Sequence, residues 1–166
     1  MELNIPGKTS ANWETIKQIV KASAASAGIL KPPSPGGFYL SVNIRGSIAY
    51  VAIQFPILND TYLYQGRLGD TITTADGFEA AKLCALNILC HINNEVGFDK
   101  IKGLNHIDVY YQQAAGWDEG PKVADGASET FLQNLGGMGL HSRAIIGVQN
   151  LPRNFCIGVV SSFTLN

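Results

Sequence analysis

The residue types best suited to chemistry gather near the carboxyl end, in His141-Ser142-Arg143-Ala144-Ile145-Ile146-Gly147-Val148, followed by Leu151-Pro152-Arg153-Asn154-Phe155-Cys156-Ile157-Gly158-Val159-Val160. Arg143 opens an apolar, β-rich run, so its guanidinium must either reach solvent at the strand end or meet an anion. Two uses are open to it. It can snorkel to the sheet edge or pair with a structural carboxylate; or its planar fork can receive the carboxylate of a ligand in a bidentate pair. The other reactive side chains are less suggestive. His91, His106 and His141 have no metal-binding spacing, and no H-E-x-x-H or paired acidic motif accompanies them, so no metal and no cofactor is expected. Ser128, Ser142, Ser161 and Ser162 lack the G-x-S-x-G context of a nucleophilic serine. Cys156 sits in a predominantly apolar run and reads as packed and inert.

The elements that must position Arg143 are legible as patterns. The two apolar runs around Asn150-Leu151-Pro152-Arg153-Asn154 read as adjacent strands joined by a short turn, a closing hairpin. Upstream, Phe38 to Ile44 and Ile48 to Phe55 flank Arg45-Gly46-Ser47 and predict another hairpin, with a short extra strand at Thr61 to Tyr64. Thr73 or Thr74 caps a long helix with Asp76 and Glu79 in its first turn and Ala81, Cys84, Ala85, Ile88 and Ile92 on one face, ended by Gly97. Leu104 to Tyr111 alternates as a strand; Ala124 to Leu135 is a second helix with Ala127, Phe131 and Leu135 facing inward. Gly136-Gly137-Met138-Gly139 lies after a helix and before a strand, the reverse of the order that aims helix amides at phosphate, and reads as a flexible link. At the amino end Asn12 can cap a helix through Ala27, stopped by Gly28 and followed by Lys31-Pro32-Pro33-Ser34-Pro35-Gly36-Gly37. The order is β-β-α-β-α-β-β: an α+β sheet with helices on one face, an amino-terminal helix and linker over residues 1–37 and a main domain over 38–166.

Composition narrows the partners. With 166 residues the prior is one domain, and 46% hydrophobic against 15% charged residues leaves much neutral or apolar exterior, which self-association commonly hides. The bare sheet face is where a neighbouring copy would sit. Lysines and arginines number 12 against 13 acids, net charge -1, so there is no basic excess to attract nucleic acid. No window approaches a membrane span and no signal-like segment opens the chain, while Cys84 and Cys90 are too far apart on a helix to bridge; a cytoplasmic, reducing location is expected.

From about Pro35 to Thr164 the chain resembles the Rid superfamily, the reactive-intermediate imine deaminases also called the YjgF family and often labelled endoribonuclease L-PSP. The residues that carry the likeness are Arg143 with Val148 and Leu151-Pro152, then Phe38-Tyr39, Gly46, Gln54-Phe55-Pro56, Gly66-Arg67-Leu68-Gly69, Ala80-Ala81 and Val123-Ala124-Asp125-Gly126-Ala127-Ser128. The amino-terminal helix and the Gly66 to Gly69 stretch look like a longer bacterial-type branch. The resemblance implies a chorismate-mutase-like fold and a homotrimer with ligand sites between subunits. It also implies that Arg143 grips the carboxylate of a 2-imino acid of the 2-aminoacrylate type, with Tyr39 lining the cleft, while water releases ammonia and leaves the 2-keto acid. Two positions depart from the pattern. Gly158 stands where active relatives carry a water-orienting glutamate, and Ala52-Ile53 replaces a strand-end Ser-Gly; Asp125 or Glu129 of the second helix is the candidate substitute acid. The expected function is therefore an imine deaminase, with a non-catalytic trimeric carboxylate-binding or structural protein as the alternative and an endoribonuclease as the least favoured one.

Overall fold

The computed structural model describes residues 31–166, and the helix expected over residues 12–28 lies outside them. Five strands form one sheet, β1 (Val42–Arg45), β2 (Ile48–Gln54), β5 (Ile101–Gln112), β6 (Ser142–Val148) and β7 (Ile157–Leu165), in the order β1-β2-β7-β5-β6. A separate two-stranded ribbon joins β3 (Ile57–Leu58) to β4 (Thr61–Tyr62), and two long helices, α1 (Thr74–Glu95) and α2 (Gly120–Leu135), cover one sheet face. This is the α+β, chorismate-mutase-like arrangement that the resemblance implies.

Local sequence explains the start of α1. Thr73 accepts a hydrogen bond from the Asp76 amide at 3.1 Å, and the Asp76 carboxylate accepts from the Thr73 amide at 3.2 Å, a reciprocal cap that satisfies two otherwise orphaned donors. The helix then runs buried from Ala80 to Ile92 and stops at Val96, one residue before Gly97, whose φ is +97°. Among these buried residues is His91; burial pushes its imidazole pKa down, partly opposed by Glu95 one turn away.

α1 and α2 cross where both lack bulk. A Cβ built on Gly126 would lie 2.2 Å from the Phe78 carbonyl oxygen, a backbone atom that cannot swing aside. Gly126→Ala is therefore expected to prise the helices apart and lower stability by about 2–4 kcal/mol, read as a drop in the denaturation midpoint.

Two expectations need correcting. The first strand begins at Val42, not Phe38: residues 36–39 form an exposed bend, in which the Tyr39 amide donates to the Gly37 carbonyl at 3.0 Å. The closing hairpin does not exist. β6 pairs with β5 in parallel, Arg143 beside Ile107 and Ile146 beside Tyr110, while β7 lies antiparallel between β5 and β2. Parallel neighbours need a crossover element, and α2 supplies it between β5 and β6; the chain after β6 must then pass over the end of β5 to reach its place.

Gln112, at the end of β5 and 1% exposed, holds that passage. Its amide nitrogen donates to the Gly66 carbonyl at 2.9 Å and to Asn154 Oδ1 at 2.7 Å, and its oxygen accepts from the Leu151 amide at 2.8 Å. Arg67 adds bonds to the carbonyls of Gln113 (3.1 Å) and Gln149 (2.7 Å).

The sheet face away from the helices carries Asn43, Tyr50, Ser162, His106 and Ser142 in one cross-strand row, with His106 bonded to Ser142 at 2.8 Å and to Asp108 at 3.1 Å. Within one chain these polar residues are only partly covered. The helix-facing side is apolar by contrast, built on Ala49, Val51, Ile107, Val109, Ile157, Val159 and Phe163. Among the described residues no helix is long and apolar enough to cross a membrane.

Candidate functional site

Arg143 stands on the edge strand β6 and, sharing parity with Ile145, turns its side chain to the helix side of the sheet. There it meets α2. Nη1 donates to Asp125 Oδ1 at 2.7 Å and to Ser128 Oγ at 3.0 Å, and Nη2 lies 3.5 Å from the Pro121 carbonyl. Asp125 and Ser128 are three apart on α2, which sets both over the same patch of β6. The Arg143 side chain as a whole is 23% exposed and that of Asp125 53% exposed, and the bond between them lies at the surface. Among the described residues nothing bonds to Nε, so the Nε–Nη2 edge of the fork retains bonding capacity.

A cavity of about 280 Å³ opens at this point, lined by Ser128, Leu132, Leu140, His141 and Arg143. Its chemistry is one cation, one hydroxyl and one imidazole against apolar walls, the composition of a small-molecule site. His141 is anchored on both ring nitrogens. Nδ1 lies 2.6 Å from the Gly139 carbonyl and Nε2 lies 3.0 Å from Ser128 Oγ, while the ring meets Phe131 edge to face at a centroid distance of 5.9 Å. The glycine segment read as a flexible link makes this possible. A Cβ on Gly139 would come within 2.5 Å of the Phe131 carbonyl oxygen, so only glycine lets the turn press against α2 and aim its own carbonyl at His141.

Sequence reasoning singled out Arg143 and named Asp125 or Glu129 as a substitute acid, of which Asp125 meets Arg143, but it considered the serines and histidines separately and did not pair Ser128 with His141. The available signal was the His-x-Arg spacing, which puts both side chains on one side of an extended chain. The other expected residues lie elsewhere. Tyr39 is in the exposed bend before β1, its hydroxyl accepting from the Gly36 amide at 3.1 Å. Ala52 is on β2, its amide bonded to the Ser41 carbonyl at 2.9 Å. Gly158 pairs with Tyr110, on the face opposite Arg143, three residues along β5 and two strands away; standard strand spacings put the two roughly 14 Å apart within one chain. A Cβ on Gly158 would lie 2.7 Å from Ile53 Cδ1 and 2.8 Å from Phe55 Cε1, so these two side chains fill the space a larger residue would need.

A larger cavity, about 420 Å³, lies at the amino end of α1 between Tyr64, Asp76, Phe78, Glu79 and Lys122. Its charges are already partnered: Asp76 caps α1, Glu79 pairs with Lys82 at 3.1 Å, and Lys122 pairs with Glu119 at 2.5 Å. The Tyr64 phenol is pushed up to about 12 by burial and by the Glu79 and Asp76 carboxylates, which keeps it a neutral wall residue. The sulfurs are also quiet. Cys156 is pushed up to about 12 by burial, and burial likewise raises Cys84 well above its ordinary value. The balance of uncommitted donors and walls favours the Arg143 cavity over its larger neighbour.

Comparison with known proteins agrees with the fold. The family described as "YjgF/chorismate_mutase-like, putative endoribonuclease" matches residues 21–164. Protein TCP17 of Trypanosoma cruzi is 28% identical over 168 residues, covering 100% of this chain and 99% of that protein. A Shewanella oneidensis protein whose crystal structure carries the same endoribonuclease description is 29% identical, with a TM-score of 0.81 over 90% of this chain and 98% of the other. RidA from an Antarctic Psychrobacter shares the fold at 18% identity, with a TM-score of 0.57 over 81% of this chain and 94% of that one. The chain belongs to the YjgF/chorismate-mutase-like family.

Proposed function

We propose that this protein binds a small 2-imino or 2-keto acid by its carboxylate at Arg143 and hydrolyses 2-imino acids of the 2-aminoacrylate type to 2-keto acids and ammonia. The observation that carries the reading is an arginine that lines a cavity together with the Ser128 hydroxyl and the His141 imidazole, and whose Nε has no bonding partner among the described residues. Asp125 does not block it. An ion pair with a half-exposed carboxylate contributes about 0–1 kcal/mol, less than a bidentate pair provides, so an incoming carboxylate can share or displace it. Asp125→Asn removes the competing charge and is expected to tighten 2-ketobutyrate binding by about 3- to 10-fold in calorimetric titration. No binding of pyruvate or 2-ketobutyrate by the native protein at millimolar concentration would overturn the proposal.

The two exposed apolar groups favour a ring of copies. Phe38, Leu40 and Tyr50 lie toward the β1 edge, and Leu132, Met138 and Leu140 toward the β6 edge, so a head-to-tail contact buries different patches from each copy, the arrangement that closes a cyclic homotrimer. Sedimentation or light scattering reports the mass, and a monomer at micromolar concentration would sink the trimer. A carboxylate-holding protein without turnover is the second reading, favoured by Ile53 and Phe55 filling the space beside Gly158. Binding without ammonia release from freshly generated imine would select it.

A further inference from the structure

We propose that His141, acting through the Ser128 hydroxyl, is the base that activates water in the Arg143 cavity and so performs the task for which position 158 supplies no side chain. The inference rests on the carboxylate reading of that cavity and adds to it the group that moves the proton.

The direction of the hydrogen-bond chain follows from its two ends. Arg143 can only donate, so Ser128 Oγ accepts from Nη1 at 3.0 Å and has its own proton left to give. The Gly139 carbonyl can only accept, so His141 Nδ1, 2.6 Å away, carries the proton of the neutral ring. Nε2 is then the lone-pair nitrogen, and Ser128 Oγ, 3.0 Å away, donates to it. The order is Arg143 to Ser128 to His141 to Gly139, with a single tautomer consistent with both ends. A hydroxyl polarised by a cation on one side and facing a base on the other is a proton relay. Both Ser128 and His141 line the same cavity as Arg143.

A 2-imino acid held by its carboxylate carries its reactive carbon one bond from that carboxylate, within the cavity. With the imine protonated, a water oxygen bonds to the carbon and the C=N electron pair moves to nitrogen. The water proton passes to Ser128 Oγ as the serine proton passes to His141 Nε2, giving a neutral carbinolamine and an imidazolium. The imidazolium proton then returns by the same route to the amine nitrogen. The C–N bond breaks, ammonia leaves, an oxygen lone pair closes the C=O bond, and the hydroxyl proton is lost to water. One water is consumed, and one ammonia, one proton and the 2-keto acid are formed.

The test compares native protein, His141→Ala, His141→Gln and Arg143→Ala, each checked for an unchanged fold by circular dichroism, with ammonia release from freshly generated 2-iminobutyrate and calorimetric binding of 2-ketobutyrate as paired readouts. Both His141 variants are expected to bind 2-ketobutyrate within about 3-fold of native protein but to lose on the order of 10²–10⁴-fold in kcat. Added imidazole restores part of the rate in His141→Ala and none in His141→Gln, where the glutamine fills the space; a merely structural histidine predicts no such difference. Native-like kcat in His141→Gln, or no hydrolysis by the native protein, overturns the role of His141 while leaving carboxylate binding intact. Unchanged 2-ketobutyrate binding by Arg143→Ala instead overturns the binding reading on which the inference stands.

Discussion

Arg143→Ala is expected to weaken 2-ketobutyrate or pyruvate binding by on the order of 10²–10³-fold, because two charge-assisted hydrogen bonds of about 1.5–3 kcal/mol each leave with the guanidinium. Arg143→Lys should recover only part of this. An ammonium keeps the charge but presents no planar fork, and it must satisfy Asp125 and Ser128 from a single nitrogen. The fold should tolerate either change. Arg143 sits on an edge strand and its ionic partner is half-exposed, so the thermal midpoint should fall by only about 2–4 °C, the shift expected for a loss near 1 kcal/mol in a chain of this size. Calorimetric titration paired with a thermal scan separates the two effects, and Arg143→Ala binding as tightly as native protein would remove Arg143 from the site.

The second large effect is on stability. Gln112→Leu keeps approximate volume but strips the Gly66 carbonyl, the Leu151 amide and Asn154 of their buried partner. Asn154 is exposed and can turn to water; at about 1–3 kcal/mol for each of the Gly66 and Leu151 backbone groups left unpaired, the loss is about 4 kcal/mol, or roughly 8–16 °C in the thermal midpoint. The neighbouring half-buried Gln113, bonded to the Trp117 carbonyl at 3.2 Å, gives the contrast; Gln113→Leu should cost about 1 kcal/mol. Equal midpoints for the two variants would show that the passage over β5 does not depend on Gln112. The turn it holds is otherwise demanding, since Arg153 and Asn154 both adopt positive φ, at +52° and +59°.

The resemblance put Gly158 and Arg143 into one site, and the single chain separates them by a strand and by a sheet face. If the two serve one ligand, they do so across a subunit boundary. The three residues that do meet Arg143 within the chain, Asp125, Ser128 and His141, come from α2 and the approach to β6, which are brought together by the parallel crossover. For that reason Gly158→Glu is a poor way to restore a base: its side chain would have to displace Ile53 and the ring of Phe55.

Features written in neighbouring residues are legible in the sequence. Thr73 with Asp76 announces the start of α1, Gly46 the first hairpin, the spacing of Ala127, Phe131 and Leu135 the inner face of α2, and Arg143 an ion out of keeping with its strand. Each rests on the 3.6- or 2-residue period of a single element or on one turn's dihedral needs. What β6 pairs with, what Arg143 touches and what fills the space at Gly158 were decided only in the tertiary structure. The local pattern of β6 and β7 suits a hairpin as well as it suits two strands split by β5, and only the burial of Gln112 beneath their connection, together with the crossover through α2, selects the second. Likewise a histidine before a strand becomes one end of a proton relay only when a glycine turn and a helical serine, from separate parts of the chain, are packed against it.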